Sequence, residues 1–422
     1  MSIALITPNT LEGTMVVPPS KSDAHRAIIC AALSDGISEI FPIEISNDIM
    51  ATINAIKAIG AKVRVIGDRL LVDGSSSLRE NYAEIDCCDS ASTLRFLLPV
   101  VCCRGIRAKF KGSKGLKARP MKNFTACFQK AGINFSFEGE FPSEVFGMVS
   151  PGRFSIPGNI SSQFISGLLL ALPMLSNDSE IYLTTPLESA KYVEMTINTM
   201  QKFGVKIEKT SYGYRVPGKQ TYSAQNYKVE GDWSQAAFFM AAGAIAGKIR
   251  IKGLNMNSVQ ADKQILAFLQ RVGANIEHDE DDIIVSKGDL KACDIYANQN
   301  PDLIPILAVV ASMCKGASAI FNASRLRFKE SDRLRALCSN LKKMGVDVKE
   351  MEDGLLIVGE EKLKGTSLDG FNDHRIVMAM AIAAICAKGK VLISNAESIC
   401  KSYPSFFEHY NQLGGVVDVI DI

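Results

Sequence analysis

The sequence lacks an excess of charge of either sign. It holds 47 Lys and Arg residues against 45 Asp and Glu residues in 422 positions. A chain so nearly balanced produces no global field that would draw it to nucleic acid or to an acidic membrane surface. We therefore expect no nucleic-acid partner and no membrane partner. Any site that binds anions must be built locally from a few cations.

Signals for export and for crossing a membrane are also missing. The N-terminal stretch MSIALITPNTLEGT has neither the basic segment nor the long apolar segment of a signal peptide. The longest apolar runs, such as residues 376–387, reach about a dozen residues, short of the roughly 18 that span a bilayer. The 11 cysteines are odd in number and irregularly spaced, a pattern typical of reduced thiols. We expect a cytoplasmic protein.

Common metal and nucleotide motifs are absent from the sequence. The cysteines form no Cys-x-x-Cys and the four histidines form no His-Glu-x-x-His, so we expect no metal site. The chain has neither a phosphate-binding loop that ends in Gly-Lys-Ser/Thr nor a Gly-x-Gly-x-x-Gly fingerprint. These absences argue against the common nucleotide-binding proteins.

What the chain does contain is an internal repeat of about seventy residues. Glycine at the C′ position can adopt the left-handed conformation that ends a helix and turns the chain into a strand. Four of the units then show a hairpin pattern, of which VIGDRLLVDG is one. In each of the six units an amphipathic stretch ends in a glycine followed by an alternating strand pattern, at Gly60, Gly132, Gly204, Gly273, Gly345 and Gly414.

A second, more apolar helix recurs in the same register. Each unit therefore holds a half-exposed helix, a buried helix and several strands. Three units can share one core of buried helices, and a chain of this length favours two such cores over one. The repeat predicts an α/β protein of two domains with three units in each. The buried helices are opened by polar residues at Ser20, Ser90, Ser161, Asp232, Asp302 and Asp373.

These helix starts suggest an anion site. A helix N-terminus presents unpaired N–H groups and a partial positive charge. Ser and Asp are also common N-caps, and capping alone explains each start taken singly. Basic residues beside the starts, such as Lys21, Arg95 and Arg375, favour a binding site. Serines lead the first three units and suit a phosphate, whereas the aspartates of the last three suit hydroxyl groups or proton transfer.

Five blocks resemble the signatures of the 5-enolpyruvylshikimate-3-phosphate synthase family and occur in that family's order. They are PPSKSDAHRA, SSQFISGLLLALPM, ESAKYVE, RFKESDRL and NDHR. The resemblance implies a two-domain inside-out α/β barrel of six βαβαββ repeats, three per domain, around buried helices. The first domain would span residues 20–228, and the second would combine residues 1–19 with 229–422. The active site would lie in the cleft between them.

The resemblance also implies an activity. The family transfers the enolpyruvyl group of phosphoenolpyruvate to the 5-hydroxyl of shikimate 3-phosphate and releases phosphate, a step of aromatic amino acid biosynthesis. The hydroxyl adds to C2 as C3 gains a proton, and the tetrahedral intermediate then loses phosphate and the C3 proton. No metal or organic cofactor is implied. We expect these two small-molecule substrates as partners and a monomeric enzyme.

Residue roles follow from the same resemblance. A carboxylate among several cations should be ionised, which suits a base. Asp302 is implied as the base for the hydroxyl, and Glu330 and Lys21 as the groups that move the C3 proton. For shikimate 3-phosphate, the implied residues are Ser22 and Arg26 at the carboxylate and Ser161, Ser162 and Ser189 at the phosphate. Gln163 and Tyr192 are implied at the ring, and Asp302 and Lys329 at the hydroxyls. Lys21 is also implied as a contact of this substrate. For phosphoenolpyruvate they are Lys21, Ala91, Arg119, Gln163, Arg333, Arg375 and Lys401, with Arg333 and Arg375 as bidentate carboxylate partners.

One position departs from the family pattern. Ala91, in DSASTLRF, stands where the family usually has Gly. The extra methyl group beside the phosphoenolpyruvate site should shorten that site. We therefore expect weak binding of glyphosate, a longer competitor of phosphoenolpyruvate, while the natural substrate still fits.

Two other functions are compatible with parts of the pattern. The sister family of UDP-N-acetylglucosamine enolpyruvyl transferases shares the fold and the donor, but it carries a reactive Cys where this chain has Lys114. A protein that binds a phosphorylated ligand without turnover would need the cations but not Asp302 or Glu330. Their presence favours an enzyme.

Overall fold

The computed structural model describes residues 2–421, which divide into two compact units. We call residues 21–229 the central unit, and residues 2–20 with 230–421 the terminal unit. In this range, no helix is long and apolar enough to cross a membrane. The α-helices are α1 (Lys21–Leu33), α2 (Asn47–Ala58), α3 (Ala91–Cys103), α4 (Lys114–Lys117), α5 (Lys122–Lys130), α6 (Ser162–Ala171), α7 (Ala190–Lys202), α8 (Trp233–Ala246), α9 (Ile265–Val272), α10 (Ile304–Ser312), α11 (Arg333–Lys343), α12 (His374–Ala384) and α13 (Phe406–Gln412). Short 3-10 helices span Leu172–Met174, Ala261–Gln264, Pro301–Leu303, Ser324–Phe328 and Ala396–Lys401.

The central unit contains three four-stranded sheets of one topology. In each sheet an edge strand runs parallel to its neighbour, and each of the two further strands is antiparallel to the strand before it. A short parallel pair joins Ser34–Asp35 to Tyr222–Ser223. In sheet order the strands are Asn226–Lys228, Ile37–Phe41, Arg69–Asp73 and Lys62–Ile66; Tyr82–Asp86, Arg107–Lys111, Phe141–Phe146 and Asn134–Glu138; and Arg153–Ile156, Ser179–Leu183, Gly213–Val216 and Glu208–Thr210.

The terminal unit repeats the same topology three times. Its N-terminal strands Ser2–Thr7 and Glu12–Val16 enter sheets whose other strands come from residues after 247, so both ends of the described chain belong to one unit. A short parallel pair joins Leu363–Lys364 to Ala387–Lys388. In sheet order the strands are Glu12–Val16, Lys248–Lys252, Asp282–Ser286 and Asn275–Asp279; Ile295–Tyr296, Ala317–Phe321, Gly354–Val358 and Asp347–Met351; and Ser367–Leu368, Val391–Ser394, Ser2–Thr7 and Val416–Asp421.

The glycine register predicted from the sequence is confirmed. Each of the six repeat glycines follows a helix and has a φ between 85° and 102°, the left-handed region that glycine adopts without steric cost. The predicted hairpins also form. In the example VIGDRLLVDG, Lys62–Ile66 pairs antiparallel with Arg69–Asp73. Local turn chemistry therefore fixes where each helix ends and each hairpin begins.

The more apolar helices form the core of each unit. Helix α8 is buried from Trp233 to Ile245 apart from Ser234, and every residue of α12 is buried. A helix that is apolar on all sides is stable only when neighbours cover it completely. In the central unit α3 packs on α6, and Gly167 of α6 makes that approach possible. A Cβ atom at Gly167 would lie 2.1 Å from the carbonyl oxygen of Arg95.

We predict that Gly167→Ala destabilises the central unit by about 1–3 kcal/mol, because the added methyl group forces two buried helices apart. The matched control is Gly152→Ala, since a Cβ atom there meets nothing within 4 Å. Urea unfolding of the two variants beside the wild-type protein measures the difference. Equal midpoints for both variants would show that the helices adjust without cost.

Candidate functional site

Polar side chains cap the starts of the buried helices, as the repeat predicts. Ser90 and Ser161 in the central unit, and Asp232 and Asp373 in the terminal unit, each accept a hydrogen bond from a backbone N–H of the first turn. The distances lie between 2.8 and 3.3 Å. The capping interpretation is confirmed at these four starts. Whether a start can also bind an anion depends on the basic residues beside it.

Asp302 departs from this pattern. The α-helix of its repeat, α10, begins only at Ile304, after a 3-10 turn at Pro301–Leu303, and Asp302 makes no capping bond. Pro301 supplies a reason, because proline fixes φ and has no N–H that a cap would need to satisfy. The repeat register predicted a helix start at Asp302, which is two residues too early. The carboxylate is consequently available to side chains instead of the backbone.

A cluster of charged side chains surrounds Arg333 in the terminal unit. The Arg333 side chain is 1% exposed, and its guanidinium donates to three carboxylates. Nε and Nη2 donate to the two oxygens of Asp373 at 2.8 and 3.2 Å, Nη1 donates to Asp302 at 3.0 Å, and Nη2 also donates to Glu330 at 2.8 Å. Burial alone would lower the pKa of Arg333, but the carboxylates outweigh it and raise that pKa. The bidentate edge of Arg333 is thus occupied by Asp373.

Asp302 has three cations around it. Its Oδ1 lies 3.2 Å from Lys329 Nζ and 3.0 Å from Arg333 Nη1, and its Oδ2 lies 3.7 Å from Arg375 Nη2. Burial would raise the pKa of Asp302, yet the charges of Lys329, Arg375 and Arg333 outweigh it and hold the pKa well below its usual range. These contacts favour the ionised state that we expected of a carboxylate at this position. The side chain remains 23% exposed, so it is accessible from solvent.

Arg375 joins this cluster to a buried acid that the sequence did not single out. Its Nη1 donates to the backbone carbonyl of Asp302 at 3.0 Å, and its Nη2 donates to the Ser234 hydroxyl at 2.7 Å. Ser234 also hydrogen-bonds to the carboxyl group of Asp262. Burial raises the pKa of Asp262 to about 6, and the charge of Asp302 adds to the increase. Asp262 was missed because it lies outside the repeated helix starts and the family blocks.

Asp373 has a second function beyond capping. Besides the N–H of Arg375, it binds Arg333 and accepts a hydrogen bond from the Ser331 hydroxyl at 3.0 Å. The two residues before it, Phe371 and Asn372, both have positive φ values, of 53° and 49°. Such backbone strain in non-glycine residues persists where surrounding contacts enforce it, and it is common at functional sites. The register found Asp373 as a helix start but not as an ion-pair partner.

Arg26 of the central unit is held by three hydrogen bonds. It is 3% exposed, and its Nε, Nη1 and Nη2 atoms donate to Thr196 Oγ1 at 2.7 Å, to the Ser22 carbonyl at 2.5 Å and to the Tyr192 carbonyl at 3.1 Å. Burial lowers the pKa of Arg26 to about 10, so it keeps its charge at neutral pH. Three predicted site residues, Ser22, Arg26 and Tyr192, are thereby brought together.

Arg95 brings together a second group in the central unit. Its Nη1 donates to Gln163 Oε1 at 2.8 Å and to Ser161 Oγ at 3.3 Å, and its guanidinium lies over the Phe164 ring. Gln163 donates in turn to Ser92 Oγ at 2.9 Å. The sequence showed Arg95 beside a helix start, but the family blocks gave it no role. Its position one turn inside the helix, as for Arg26 after Ser22, was the available signal.

The remaining predicted residues are held near helix ends. Lys21, the first residue of α1, forms an ion pair with Asp48 of α2 at 2.8 Å, and its side chain is 18% exposed. Ala91 is the first residue of α3, and Ser189 precedes α7 in a left-handed conformation. The others are also largely buried: Ser162 at the start of α6, Arg119 after α4, and Lys401 at the end of a 3-10 turn.

A metal centre finds no support in the side chains of residues 2–421. No group of three or more His, Cys, Asp or Glu residues is placed to hold an ion there. The acidic residues of the Arg333 cluster pair with cations instead. The arrangement suits neutralisation of anions and proton transfer by an ionised carboxylate.

Comparisons with known proteins cover the whole chain. A sequence model of the EPSP synthase (3-phosphoshikimate 1-carboxyvinyltransferase) family matches residues 5–410. A protein from Clostridium perfringens named 3-phosphoshikimate 1-carboxyvinyltransferase is 44% identical over 421 residues, which is 99% of each chain. A protein of the same name from Clostridium acetobutylicum is 44% identical over 423 residues, 99% of this chain and 98% of its own.

The fold has a solved counterpart. An EPSP synthase structure from Acinetobacter baumannii superposes with a TM-score of 0.84 at 23% identity, covering all of both chains. At that identity the likeness speaks for the α/β fold alone. The sequence comparisons show the family as well, because a family match from residue 5 to residue 410 agrees with full-length identities of 44%. The chain therefore belongs to the EPSP synthase family.

Proposed function

We propose that this protein transfers the enolpyruvyl group of phosphoenolpyruvate to the 5-hydroxyl of shikimate 3-phosphate and releases phosphate, within aromatic amino acid biosynthesis. The observation that carries the proposal is the Asp302 carboxylate, kept ionised by Lys329, Arg333 and Arg375. This cluster holds a carboxylate and several cations, which are the kinds of group that the reaction needs. Full-length relatives that bear the name of this transferase support the same reaction.

We assign the base to Asp302. It accepts the proton of the 5-hydroxyl while that oxygen adds to C2 of phosphoenolpyruvate and C3 takes a proton, with Glu330 and Lys21 as the groups that move it. In the second phase the C2–O bond to phosphate breaks, phosphate leaves with the electron pair, and the C3 proton returns to the protein. Glu330 is suited to this exchange because Arg333 holds its carboxylate at 2.8 Å and 14% exposure.

Substrate binding should strengthen this base. A carboxylate with a pKa far below neutral is a weak proton acceptor, since general bases work best when their pKa lies near the working pH. Phosphoenolpyruvate is an anion, and its carboxylate beside Arg375 and Arg333 would offset part of the positive charge around Asp302, while the bidentate edge of Arg333 stays on Asp373. The pKa of Asp302 then rises when the substrate pair is in place. Binding and activation are coupled through the same cations.

We assign shikimate 3-phosphate to the central-unit residues with support from their contacts. Arg26 and Ser22 are proposed for its carboxylate, and the three hydrogen bonds of Arg26 fix that guanidinium in advance. Gln163, held by Arg95 and Ser92, is proposed for the ring and for phosphoenolpyruvate. The phosphate is proposed to bind at helix starts, which present N–H groups and hydroxyls to anions, namely at Ser161, Ser162 and Ser189. Tyr192 is assigned to the ring side.

Further cations complete the assignment for phosphoenolpyruvate. Lys21, Arg119 and Lys401 are proposed to neutralise its phosphate and carboxylate together with the two arginines of the terminal unit. Lys329 is proposed to contact a hydroxyl of shikimate 3-phosphate beside Asp302.

We also propose the finer fold and the state of the protein. The six sheets of one topology and the buried helices support a two-domain inside-out α/β barrel of six βαβαββ repeats, three per domain. The domains are proposed as residues 20–228 and residues 1–19 with 229–422. We propose a cytoplasmic monomer that works without a cofactor, and the eleven cysteines are free thiols in agreement with a reducing compartment.

The proposed reaction predicts phosphate release only when shikimate 3-phosphate and phosphoenolpyruvate are both present. Asp302→Asn should lower kcat by about 100-fold or more, because it removes the general base while keeping the shape of the side chain. Asp289→Asn is the matched control, since Asp289 is exposed and pairs only on the surface with Lys315. Release with UDP-N-acetylglucosamine as acceptor, or ligand binding without any release, would contradict the proposal.

The charges around Asp302 predict a shift in the pH profile. Lys329→Met removes a cation that stabilises the ionised carboxylate, so the pKa of Asp302 should rise. On the acidic side of the pH profile, kcat/KM falls as Asp302 becomes protonated. This acidic limb should then move to higher pH by about one to two units. Lys315→Met, at an exposed ion pair of the same unit, should leave the limb in place. An unmoved limb in Lys329→Met would argue against Asp302 as the base.

The departure at Ala91 predicts how the protein responds to glyphosate. Ala91 is buried at the start of α3, so its methyl group takes up space next to the capped helix end. We expect glyphosate to inhibit the wild-type protein weakly. In Ala91→Gly the inhibition constant should be at least tenfold lower, because removing an overpacked methyl group is worth about 1–3 kcal/mol. The KM for phosphoenolpyruvate should change much less. A low-micromolar inhibition constant for the wild-type protein would refute the expectation.

A further inference from the structure

We propose that a buried chain of hydrogen bonds from His25 through Thr52 and Thr93 to Ser90 positions the start of helix α3 and thereby sets the affinity for phosphoenolpyruvate. The inference rests on the proposed function, because Ala91 at that helix start is assigned to this substrate. The four residues are positioning residues: each acts through its neighbour, and none is assigned to touch a substrate.

The chain is continuous and excluded from solvent. His25 Nδ1 lies 2.7 Å from Thr52 Oγ1, Thr52 Oγ1 lies 2.7 Å from Thr93 Oγ1, and Thr93 Oγ1 lies 2.8 Å from Ser90 Oγ. Each of the four residues is at most 1% exposed. The chain crosses three helices, because His25 belongs to α1, Thr52 to α2 and Thr93 to α3, whose N-cap is Ser90. Polar groups buried this completely destabilise a protein unless they are hydrogen-bonded.

Counting protons gives the chain a direction. A hydroxyl has a single hydrogen to donate. Thr93 donates to Ser90, so the proton between Thr52 and Thr93 must come from Thr52. The hydrogen of Thr52 is then used, and the proton between His25 and Thr52 must come from His25 Nδ1. The imidazole is therefore required in a form that carries a proton on Nδ1.

The end of the chain controls the helix cap. Ser90 Oγ accepts from the Thr93 hydroxyl at 2.8 Å and from the Thr93 backbone N–H at 3.2 Å, which fixes the rotamer of the cap. Ala91, the next residue, is the first of α3. A cap held in one rotamer also holds the N–H groups of the first turn in one orientation, and these are the groups that face an anion at a helix start.

Helix α2 positions two parts of the proposed phosphoenolpyruvate site. Asp48, one helical turn before Thr52, holds Lys21 Nζ at 2.8 Å, while Thr52 holds the start of α3 through Thr93. None of the residues assigned to either substrate lies on α2 itself. Its buried face thus fixes a cation and a helix start in a common frame.

The test compares hydroxyl removal with hydroxyl retention. Thr52→Val and Thr93→Val keep the volume but break the chain, whereas Thr52→Ser and Thr93→Ser keep the hydroxyl. We expect the valine variants to raise the KM for phosphoenolpyruvate about tenfold, and to change the KM for shikimate 3-phosphate by less than about twofold, since a broken buried hydrogen bond costs on this scale. The serine variants should restore the KM to within about threefold of the wild-type value.

A matched control separates positioning from general stability. Thr125 is a buried threonine of α5 whose single hydroxyl hydrogen is shared between the carbonyls of Met121 and Lys122, at the start of the same helix. Thr125→Val should lower the melting temperature without altering the ratio of the two KM values. A rise in both KM values together in the chain variants, or the same selective rise in Thr125→Val, would overturn the inference.

A second measurement does not depend on turnover or on valine variants that fold. The protein has four histidines, so selective ring-15N labelling and NMR can assign His25 by comparison with His25→Asn. We expect a proton on Nδ1 of His25 that exchanges slowly with water. If this slow exchange were lost in Thr52→Ser, the serine hydroxyl would not preserve the hydrogen-bond chain. An imidazole protonated on Nε2 alone would overturn the chain's direction. A wild-type protein that releases no phosphate would overturn the proposed function and the chain's role in it, while the NMR result still decides whether the chain exists.

Discussion

The terminal unit depends on the neutralisation of Arg333. A guanidinium that is 1% exposed has lost most of its hydration, and it is stable there only because Asp302, Glu330 and Asp373 supply charge and hydrogen-bond acceptors. These same carboxylates have other tasks: Asp373 caps α12, and Asp302 and Glu330 are the groups proposed to move protons. Removing any one of them would leave a buried charge underpaired and shift the pKa values of the others.

Arg26 and Arg95 of the central unit differ in their partners from Lys329 and Arg333 of the terminal unit. In the central unit the hydrogen bonds of Arg26 and Arg95 go to carbonyl, hydroxyl and amide oxygens, which carry no formal charge. In the terminal unit Lys329 and Arg333 face carboxylates. Neutral partners orient a cation without cancelling its charge, which suits a phosphorylated ligand. Charged partners couple the cations to proton transfer, since each carboxylate senses every change in the charge around it.

The sequence predicted the periodic features of the fold and fewer of the contacts within the site. The glycine turns and the caps at Ser90, Ser161 and Asp373 follow from local chemistry that repeats every seventy or so residues, so their spacing reveals them. Asp262 and Thr52 escaped notice because their importance comes from partners that are distant in the sequence. Periodicity identifies the ends of elements, but it carries no information on which buried side chains meet across them.

The exception at Asp302 explains how a repeated architecture can contain a reactive group. At Asp232 and Asp373 the carboxylate accepts backbone N–H groups of its helix, so part of its hydrogen-bonding capacity is committed to the fold. At Asp302 the repeat carries Pro301, whose missing N–H and fixed φ start the turn without a side-chain cap. The carboxylate is then directed to Lys329, Arg333 and Arg375. Pro301 thus accounts for a carboxylate at Asp302 that contacts cations, at a repeat position where other repeats have a helix cap.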